Sequence, residues 1–269
     1  MKIAEEIKTI LLKIKRKKER LLVIFCQLSL LFLIIASWEL VTSGNKLNAF
    51  LFGSPSAIWG HFIKMVQDGS LLIDSMTTGG ETLLGFGMGN LIGTVIGLLL
   101  WYSRFISKIL EPYIIAIGSI PIVALAPIAI IWFGTGLASK VAMSTLSVVV
   151  VALVIAYKGA MNVDEDQINL MRTLGARKWQ IFSKLVMPSS LGDIFSGLKL
   201  TIGFALIGAI IGEFMSSSQG LGHAIFKAGS LYIISKVFAA LIATIGLALI
   251  LNFFVEKLEK FLMPWRTFD

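Results

Sequence analysis

Few ionisable side chains that could do chemistry lie inside the long apolar runs of this sequence. Glu39, Glu81, Lys199 and Glu213 are among those that do. A charged residue at the centre of a membrane helix costs about 2.5–3.5 kcal/mol on insertion scales, so such a residue usually faces protein or water. Glu81 and Glu213 are predicted near the outer ends of their runs, where the cost is lower. Both are candidates for lining a translocation path or forming its gate.

Residue types that ligate metals or act as nucleophiles are sparse. The two histidines, His61 and His223, are far apart in the sequence and have no cysteine or carboxylate cluster around them. The single cysteine, Cys26, lies inside the first apolar run and excludes an intrachain disulfide. We therefore expect no catalytic site, no metal site, no cofactor in this chain and no nucleic-acid partner. The chain is not predicted to be an enzyme.

The composition predicts a protein whose elements lie in a lipid bilayer. Of the 269 residues, 56% are hydrophobic and only 15% are charged, and the mean hydropathy is +0.86. Soluble domains are roughly 25% charged. In lipid, backbone groups must be paired within helices or closed barrels, and barrel strands alternate apolar and polar residues. The apolar runs do not alternate, so the predicted class is an all-α polytopic membrane protein.

Six membrane-spanning helices are predicted from runs of about 20 apolar residues. The chain divides into a basic N-terminal helix at 1–20, a first span with its outer loop at 21–76, a core at 77–257 and a tail at 258–269. The predicted spans are 21–42, 77–102, 110–133, 139–157, 191–215 and 235–255.

Basic residues are distributed unevenly between the two sides of these spans. With the N-terminus inside, eighteen lysines and arginines fall on inner segments and five on outer ones. Cytoplasmic segments carry the excess of basic residues, so both termini are predicted to be cytoplasmic. The remaining lysine, Lys199, is expected to extend its ammonium group to the inner interface. The basic N-terminal helix is expected to lie against anionic headgroups, with docking of a partner as the alternative.

Glycines and prolines mark two of the spans. In the second span Gly85, Gly89, Gly93 and Gly97 are four residues apart, which places them on one helix face and predicts close helix packing. The third span reads "SIPIVALAPIAIIWFG" at its outer half, and its prolines each remove a backbone donor and kink or break a helix. The bend either serves packing or lines a moving cavity. The candidate path residues here are Ser119, Pro121 and Pro127.

An amphipathic basic segment, "NLMRTLGARKWQIFSKLVMP", interrupts the apolar runs on the cytoplasmic side. Residues 164–187 are predicted to form two short helices joined at Gly175, with the acidic "DEDQ" at the positive end of the first helix. Gly175 tolerates a left-handed C-cap. The second helix is expected to stop before Pro188, because the residue before a proline disfavours helix. Two helices broken at a glycine predict a rigid projection rather than a helix lying on lipid.

This segment resembles the coupling motif of importer permeases of the ATP-binding cassette (ABC) superfamily. That motif is Glu-Ala-Ala, three residues, Gly, nine residues, Ile-x-Leu-Pro. Gly175 and Pro188 have the motif's separation, whereas Asn169, Leu170 and Met171 replace its Glu-Ala-Ala triplet. The stretches "FGSPSAIWGHF", "SIPIVALAPIAIIWFGTGLASK", "LGARKWQIFSKLVMPSSLGDIFSGLKL" and "IGEFMSSSQGLGHAIFKAG" resemble the nitrate/sulfonate/taurine-type permeases in the same order. The resemblance extends from about residue 50 to the end.

The resemblance implies a type I ABC importer-like permease fold in a bacterial cell membrane. It implies a homodimer of this chain, two cytoplasmic ATPase subunits that hold ATP and Mg, and an extracellular substrate-binding protein. The residues at 77–257 would be the permease core. The residues that the motif places at the ATPase are Asn169, Leu170, Met171, Arg172, Leu174, Gly175, Ala176, Trp179 and Pro188.

The function implied is ATP-driven import of a small molecule. The first expectation for the substrate is a small anion such as a sulfonate, taurine or a nitrate-like ion. A vitamin precursor, pyrimidine-like or riboflavin-like, is the alternative. Two other functions differ in their coupling: an ATP-independent channel or carrier would conduct without a tight ATPase partner, and a scaffold would not transport at all.

Overall fold

The computed structural model describes residues 2–44 and 46–263, and these form only helices and connecting turns. The all-α class is therefore confirmed. Five of the helices are long and apolar enough to span a bilayer, and a bent pair of helices makes a sixth span. The helices are α1 Lys2–Ser43, α2 Lys46–Phe52, α3 Pro55–Gln67, α4 Ser70–Leu100, α5 Arg104–Gly118, α6 Ala126–Phe133, α7 Leu137–Met161, α8 Glu165–Thr173, α9 Lys178–Ile181, α10 Met187–Ser216, α11 Leu221–Ser230 and α12 Ile234–Leu262.

The glycine face of α4 packs directly on α7, as the four-residue spacing predicts. A Cβ atom added at Gly85 would lie 2.2 Å from the side chain of Ser144, and one at Gly97 would lie 2.3 Å from the carbonyl oxygen of Leu153. No real Cβ atom approaches neighbours so closely, so only glycine allows these two backbones to meet. Inside lipid there is no hydrophobic driving force between helices. Small residues instead let the backbones approach closely, so that van der Waals packing holds the helices together.

These contacts also fix the direction of each span. Residue numbers rise together along α4 and α7, because Gly89 meets Val148 and Gly97 meets Leu153, so the two helices are parallel. Two parallel helices need a crossing between them, and α5 and α6 together supply it. Against α7, α10 runs antiparallel, since Gly212 lies beside Lys140 near the start of α7. With the bent pair taken as one span, the described residues supply up to six crossings, as many as predicted.

The third span is broken rather than kinked. α5 and the following segment Ile122–Phe133 meet at 88°. Pro121 precedes a 3₁₀ turn at Ile122–Leu125, and Pro127 lies in the first turn of α6, where its missing N–H leaves no bond unmade. The predicted break thus falls at Pro121, and Pro127 follows it at the start of the next α-helix. A further proline, Pro112, lies inside α5.

Short helices cover the outer side of the bundle. α3 begins at Ser54, whose hydroxyl accepts a hydrogen bond from Ala57 N at 3.3 Å. Glu39 of α1 accepts hydrogen bonds from Ser56 N at 3.0 Å and Ser56 Oγ at 2.7 Å. The acidic side chain thus satisfies the donors at the start of α3 and joins α1 to the bundle. The tail beyond Met263 lies outside the described residues.

Candidate coupling site and buried polar network

The amphipathic segment at 164–187, here called the connector, contains two helices. The first of them, α8, begins and ends as its sequence predicts. Asp164 precedes it and accepts a hydrogen bond from Asp166 N at 2.8 Å. At the other end, Gly175 has a φ of +79°. Its N–H donates to Arg172 O at 2.9 Å, and Ala176 N donates to Met171 O at 2.9 Å. This is the Schellman pattern, which satisfies the last carbonyls of a helix and requires a left-handed residue.

The second connector helix does not stop before Pro188, so that prediction is wrong. α9 continues through a π-helical segment, Phe182–Val186, into α10, and Pro188 lies in the first turn of α10. Met187 N donates to Phe182 O, which is the i→i−5 bond of a π-helix. The wider π turn accommodates the proline without ending the helix. The second half of the connector is therefore continuous with a membrane span over Lys178–Ser216.

A buried apolar cluster fixes the connector to the bundle. Ile181, Phe182 and Val186 are buried against Leu98 of α4 and Ala156 of α7. The side chains of Ile168 and Met171 in α8 pack against the same cluster, as do the rings of Trp101 and Tyr102. These contacts attach α8 to the inner ends of the spans, and Met171 is partly buried against the cluster.

The predicted ATPase-contact residues fall on different faces of the connector. Leu170, Leu174 and Trp179 point into solvent, with 61%, 74% and 64% of their surfaces exposed. Asn169, Arg172 and Ala176 instead line a cavity of about 750 Å³ between α8 and the α4–α5 turn. Arg172 also donates from Nη1 to Asn169 Oδ1 at 3.1 Å. The outward face is apolar, which is unusual for a projection into water and is typical of a docking surface.

Glu213 and Thr78 join three outer elements by hydrogen bonds. Glu213 is 1% exposed. Its Oε1 accepts from Thr78 Oγ1 at 2.6 Å, and its Oε2 accepts from Gly222 N at 2.6 Å. Thr78 Oγ1 in turn accepts from Leu221 N at 2.8 Å. Side chains of α4 and α10 thus cap the first N–H groups of α11, which otherwise have no helical partner.

Beside this network lies a lysine that the charge count assigned to an outer segment, at the start of the predicted span 139–157. Lys140 is 3% exposed, and its Nζ donates to Gly136 O at 3.0 Å and to Thr135 O. Glu81 and Glu213 attract its charge electrostatically. Glu81 is also buried, and its Oε2 has no hydrogen-bond partner among the described residues. The signal for Lys140 was its position in the first turn of a span, directly before an apolar run.

The candidate path residues of the third span stay apart from this network. Ser119, Pro121 and Pro127 are exposed at the break between α5 and α6. Ser119 Oγ donates to Ile115 O of its own helix at 2.8 Å. Within the described residues, none of the three bonds to Glu81 or Glu213. Glu81 and Glu213 thus share one electrostatic environment with Lys140, in which the described contacts of Ser119 have no part.

An ion pair on the inner side was also missed. Lys199 Nζ lies 2.7 Å from Glu259 Oε2 on α12, and Glu259 is buried. Lys199 was expected to reach only toward the interface, but it neutralises a carboxylate between two spans. Glu259 lay beyond the predicted end of the sixth span, so the sequence pattern did not assign it to the bundle.

A glycine-packed core of membrane spans with a helical projection at their inner ends defines a class: a multi-span membrane permease. Residues 89–263 match the family of binding-protein-dependent transport system inner membrane components. The chain belongs to this family. It is the permease of an ABC transporter, a multi-pass protein of the bacterial plasma membrane.

Several curated proteins are similar along most of the chain. A probable ABC transporter permease protein of Haemophilus influenzae is 31% identical over 221 residues, which are 82% of this chain and 89% of that protein. The putative aliphatic sulfonates transport permease protein SsuC of Bacillus subtilis is 29% identical, covering 87% and 85%. The formylaminopyrimidine transport permease protein ThiX of Halalkalibacterium halodurans is 33% identical, covering 68% and 73%.

A solved structure shares the fold. The inward-facing MetNI methionine ABC transporter superposes with a TM-score of 0.64 at 18% sequence identity, covering 72% of this chain and 96% of that one. The type I importer permease fold implied by the sequence is confirmed.

Proposed function

We propose that two copies of this chain form the translocation path of an ATP-driven importer, and that α8 is the contact for a cytoplasmic ATPase. The observation that carries the proposal is the way α8 is built. Its outward face exposes Leu170 and Leu174. Its other side packs, through Ile168 and Met171, against the apolar cluster at the inner ends of α4, α7 and α10. Motion applied to α8 by a partner is therefore delivered to α4, α7 and α10.

The ATP chemistry lies on the partner in this proposal. ATP and Mg bind the two ATPase subunits, and this chain contributes the docking projection. An extracellular substrate-binding protein delivers the ligand at the outer side, where Glu81 and Glu213 lie. The family's description as binding-protein-dependent supports this assignment.

The proposed substrate is a small organic or inorganic anion of the sulfonate kind. The similar protein named as an aliphatic sulfonates permease supports this class. A vitamin precursor is the second candidate, because other similar proteins are named as formylaminopyrimidine and riboflavin permeases. Proteoliposome uptake with the cognate binding protein, using a sulfonate and a pyrimidine in parallel, distinguishes the two.

Gly175→Val tests the coupling role. A β-branched residue at φ +79° costs roughly 1–3 kcal/mol, and the strain falls on the end of α8. Gly69→Val is the matched control, because Gly69 also has a positive φ of 76° and no neighbour within 4 Å of an added Cβ, but it lies on the outer side. We expect Gly175→Val to lose co-purifying ATPase and ATP-driven uptake, and Gly69→Val to keep the ATPase.

Two outcomes contradict the proposal. The α8 assignment is wrong if Gly175→Val retains the ATPase at wild-type stoichiometry and imports at the wild-type rate. Substrate flux in vesicles without ATP, together with no co-purifying ATPase, would instead indicate a channel or a carrier.

A further inference from the structure

The cavity between α8 and the α4–α5 turn is large, and its lining is rich in cations. Its volume of about 750 Å³ falls within the range of small-molecule sites, roughly 300–1,000 Å³. Arg104, Arg172 and Lys178 line it, and Glu165 is the only acidic residue among the residues that line it. Formally the lining therefore carries two net positive charges. A cavity of this kind attracts a ligand with negative charge.

The cations are held loosely enough to rearrange around a ligand. Arg104 Nη2 lies 2.8 Å from Glu165 Oε1, but about three quarters of both side chains is exposed, and exposed pairs contribute little. Lys178 Nζ donates to Tyr102 O and lies 5.7 Å from the centre of the Tyr102 ring. Neither cation is neutralised by a buried acid, so both can donate to phosphate oxygens.

The cavity lies at the ends of two spans, on the side predicted to be cytoplasmic. Its upper rim is formed where two spans end, at Trp101 directly after α4 and at Met161, the last residue of α7. Trp101 and Tyr102 are residue types that concentrate at the membrane interface. Basic pockets between spans on the cytoplasmic side bind the headgroups of anionic lipids.

The cavity and the proposed ATPase contact lie on opposite faces of α8. Glu165, Asn169 and Arg172 line the cavity and share one helix face at i, i+4 and i+7 spacing. Leu170 and Leu174, which are exposed apolar residues of α8 and its C-cap, are not in the lining. A partner docked on the leucine face leaves the cavity accessible from the bilayer.

We propose that this cavity binds the phosphate headgroup of an anionic phospholipid from the cytoplasmic leaflet. Arg104 and Lys178 bind the phosphate, and the rings of Trp101 and Tyr102 pack beside the glycerol. A lipid held there joins the α4–α5 turn to α8 and so occupies the junction between the spans and the projection. The inference stands independently of the substrate and of the ATPase contact.

Native mass spectrometry of the full-length permease in detergent, titrated with phosphatidylglycerol and with phosphatidylcholine, tests the proposal. We expect phosphatidylglycerol to bind preferentially, and the double variant Arg104→Gln/Lys178→Gln to weaken its binding roughly 30-fold. The matched control is Lys108→Gln/Arg177→Gln, which removes the same charge from two neighbouring basic residues outside the lining and should change binding less than threefold. Glu165→Gln removes the acid and should tighten binding.

Folding is checked with Arg104→Lys/Lys178→Arg, which keeps both charges and should keep binding. Equal loss in the control pair would show that general surface charge, not the cavity, retains the lipid. Displacement by millimolar inorganic phosphate would make this a site for soluble anions and overturn the lipid assignment. Displacement of the lipid by the bound ATPase would assign the cavity to the protein interface and would also overturn it.

Discussion

Gly93 lies in the middle of the contact between α4 and α7. A Cβ atom there would lie 2.4 Å from Val149 O, 2.8 Å from Ala152 Cβ and 2.9 Å from Leu153 N. Two of these three atoms belong to backbone, which cannot rotate away as a side chain can. Gly93→Ala therefore forces α4 and α7 apart. Overpacking of this kind costs about 3 kcal/mol, at the upper end of the usual range.

The matched control lies on the same helix. Gly87 has nothing within 4 Å of an added Cβ. Gly87→Ala adds the same methyl group to an unobstructed face, and alanine is favoured over glycine in a helix by up to about 1 kcal/mol. The two variants have the same composition, so any difference between them reports the contact with α7.

Thermal unfolding of the purified permease in detergent, followed by tryptophan fluorescence, measures the difference. For a chain of this size 1 kcal/mol shifts the Tm by about 2–4 °C, so Gly93→Ala should unfold about 6–12 °C lower. Gly87→Ala should unfold at or slightly above the wild-type Tm. If Gly93→Ala has the wild-type Tm, or if the Tm of both variants falls equally, then the close approach of α4 and α7 is not what stabilises the bundle.

Two further predictions concern the buried charges. Glu213→Ala removes the acceptor for Thr78 Oγ1 and Gly222 N, so it should lower the free energy of unfolding by about 3 kcal/mol. It should also speed cysteine labelling at Gln219→Cys. The control Glu256→Ala loses only an exposed pair with Lys260 and should change stability by less than about 0.5 kcal/mol. Lys199→Met leaves buried Glu259 without its cation and should lower the Tm. Adding Glu259→Gln to that variant should restore most of the lost Tm. A double variant no more stable than Lys199→Met alone would contradict the pairing.

Hydropathy patterns were sufficient to predict the class and the apolar spans. Runs of about 20 apolar residues have one stable solution in lipid, and the excess of basic residues on alternate segments orders their crossings. The four-residue spacing of glycines on α4 likewise predicted a packing face without naming its partner. Local chemistry also predicted the end of α8, since Gly175 permits the left-handed backbone that a Schellman cap needs.

The position at which the second connector helix ends could not be predicted from the sequence. Proline disfavours helix at the preceding residue, yet the chain continues from α9 into α10 through a π segment. That alternative is stabilised by the burial of Ile181, Phe182 and Val186 against α4 and α7, which are distant in sequence. Tertiary packing overrode a local rule.

By itself the sequence determined a cytoplasmic projection with a glycine-capped helix, because caps, charge asymmetry and hydropathy act over short stretches of chain. Only the tertiary structure decided which residues of that projection face out and which face the cavity. It also placed Lys140 with Glu81 and Glu213, and Lys199 with Glu259. Each of these groupings joins residues from different spans. A charge buried in a low-dielectric bundle needs a partner, and the packing of the spans determines which residue that partner is.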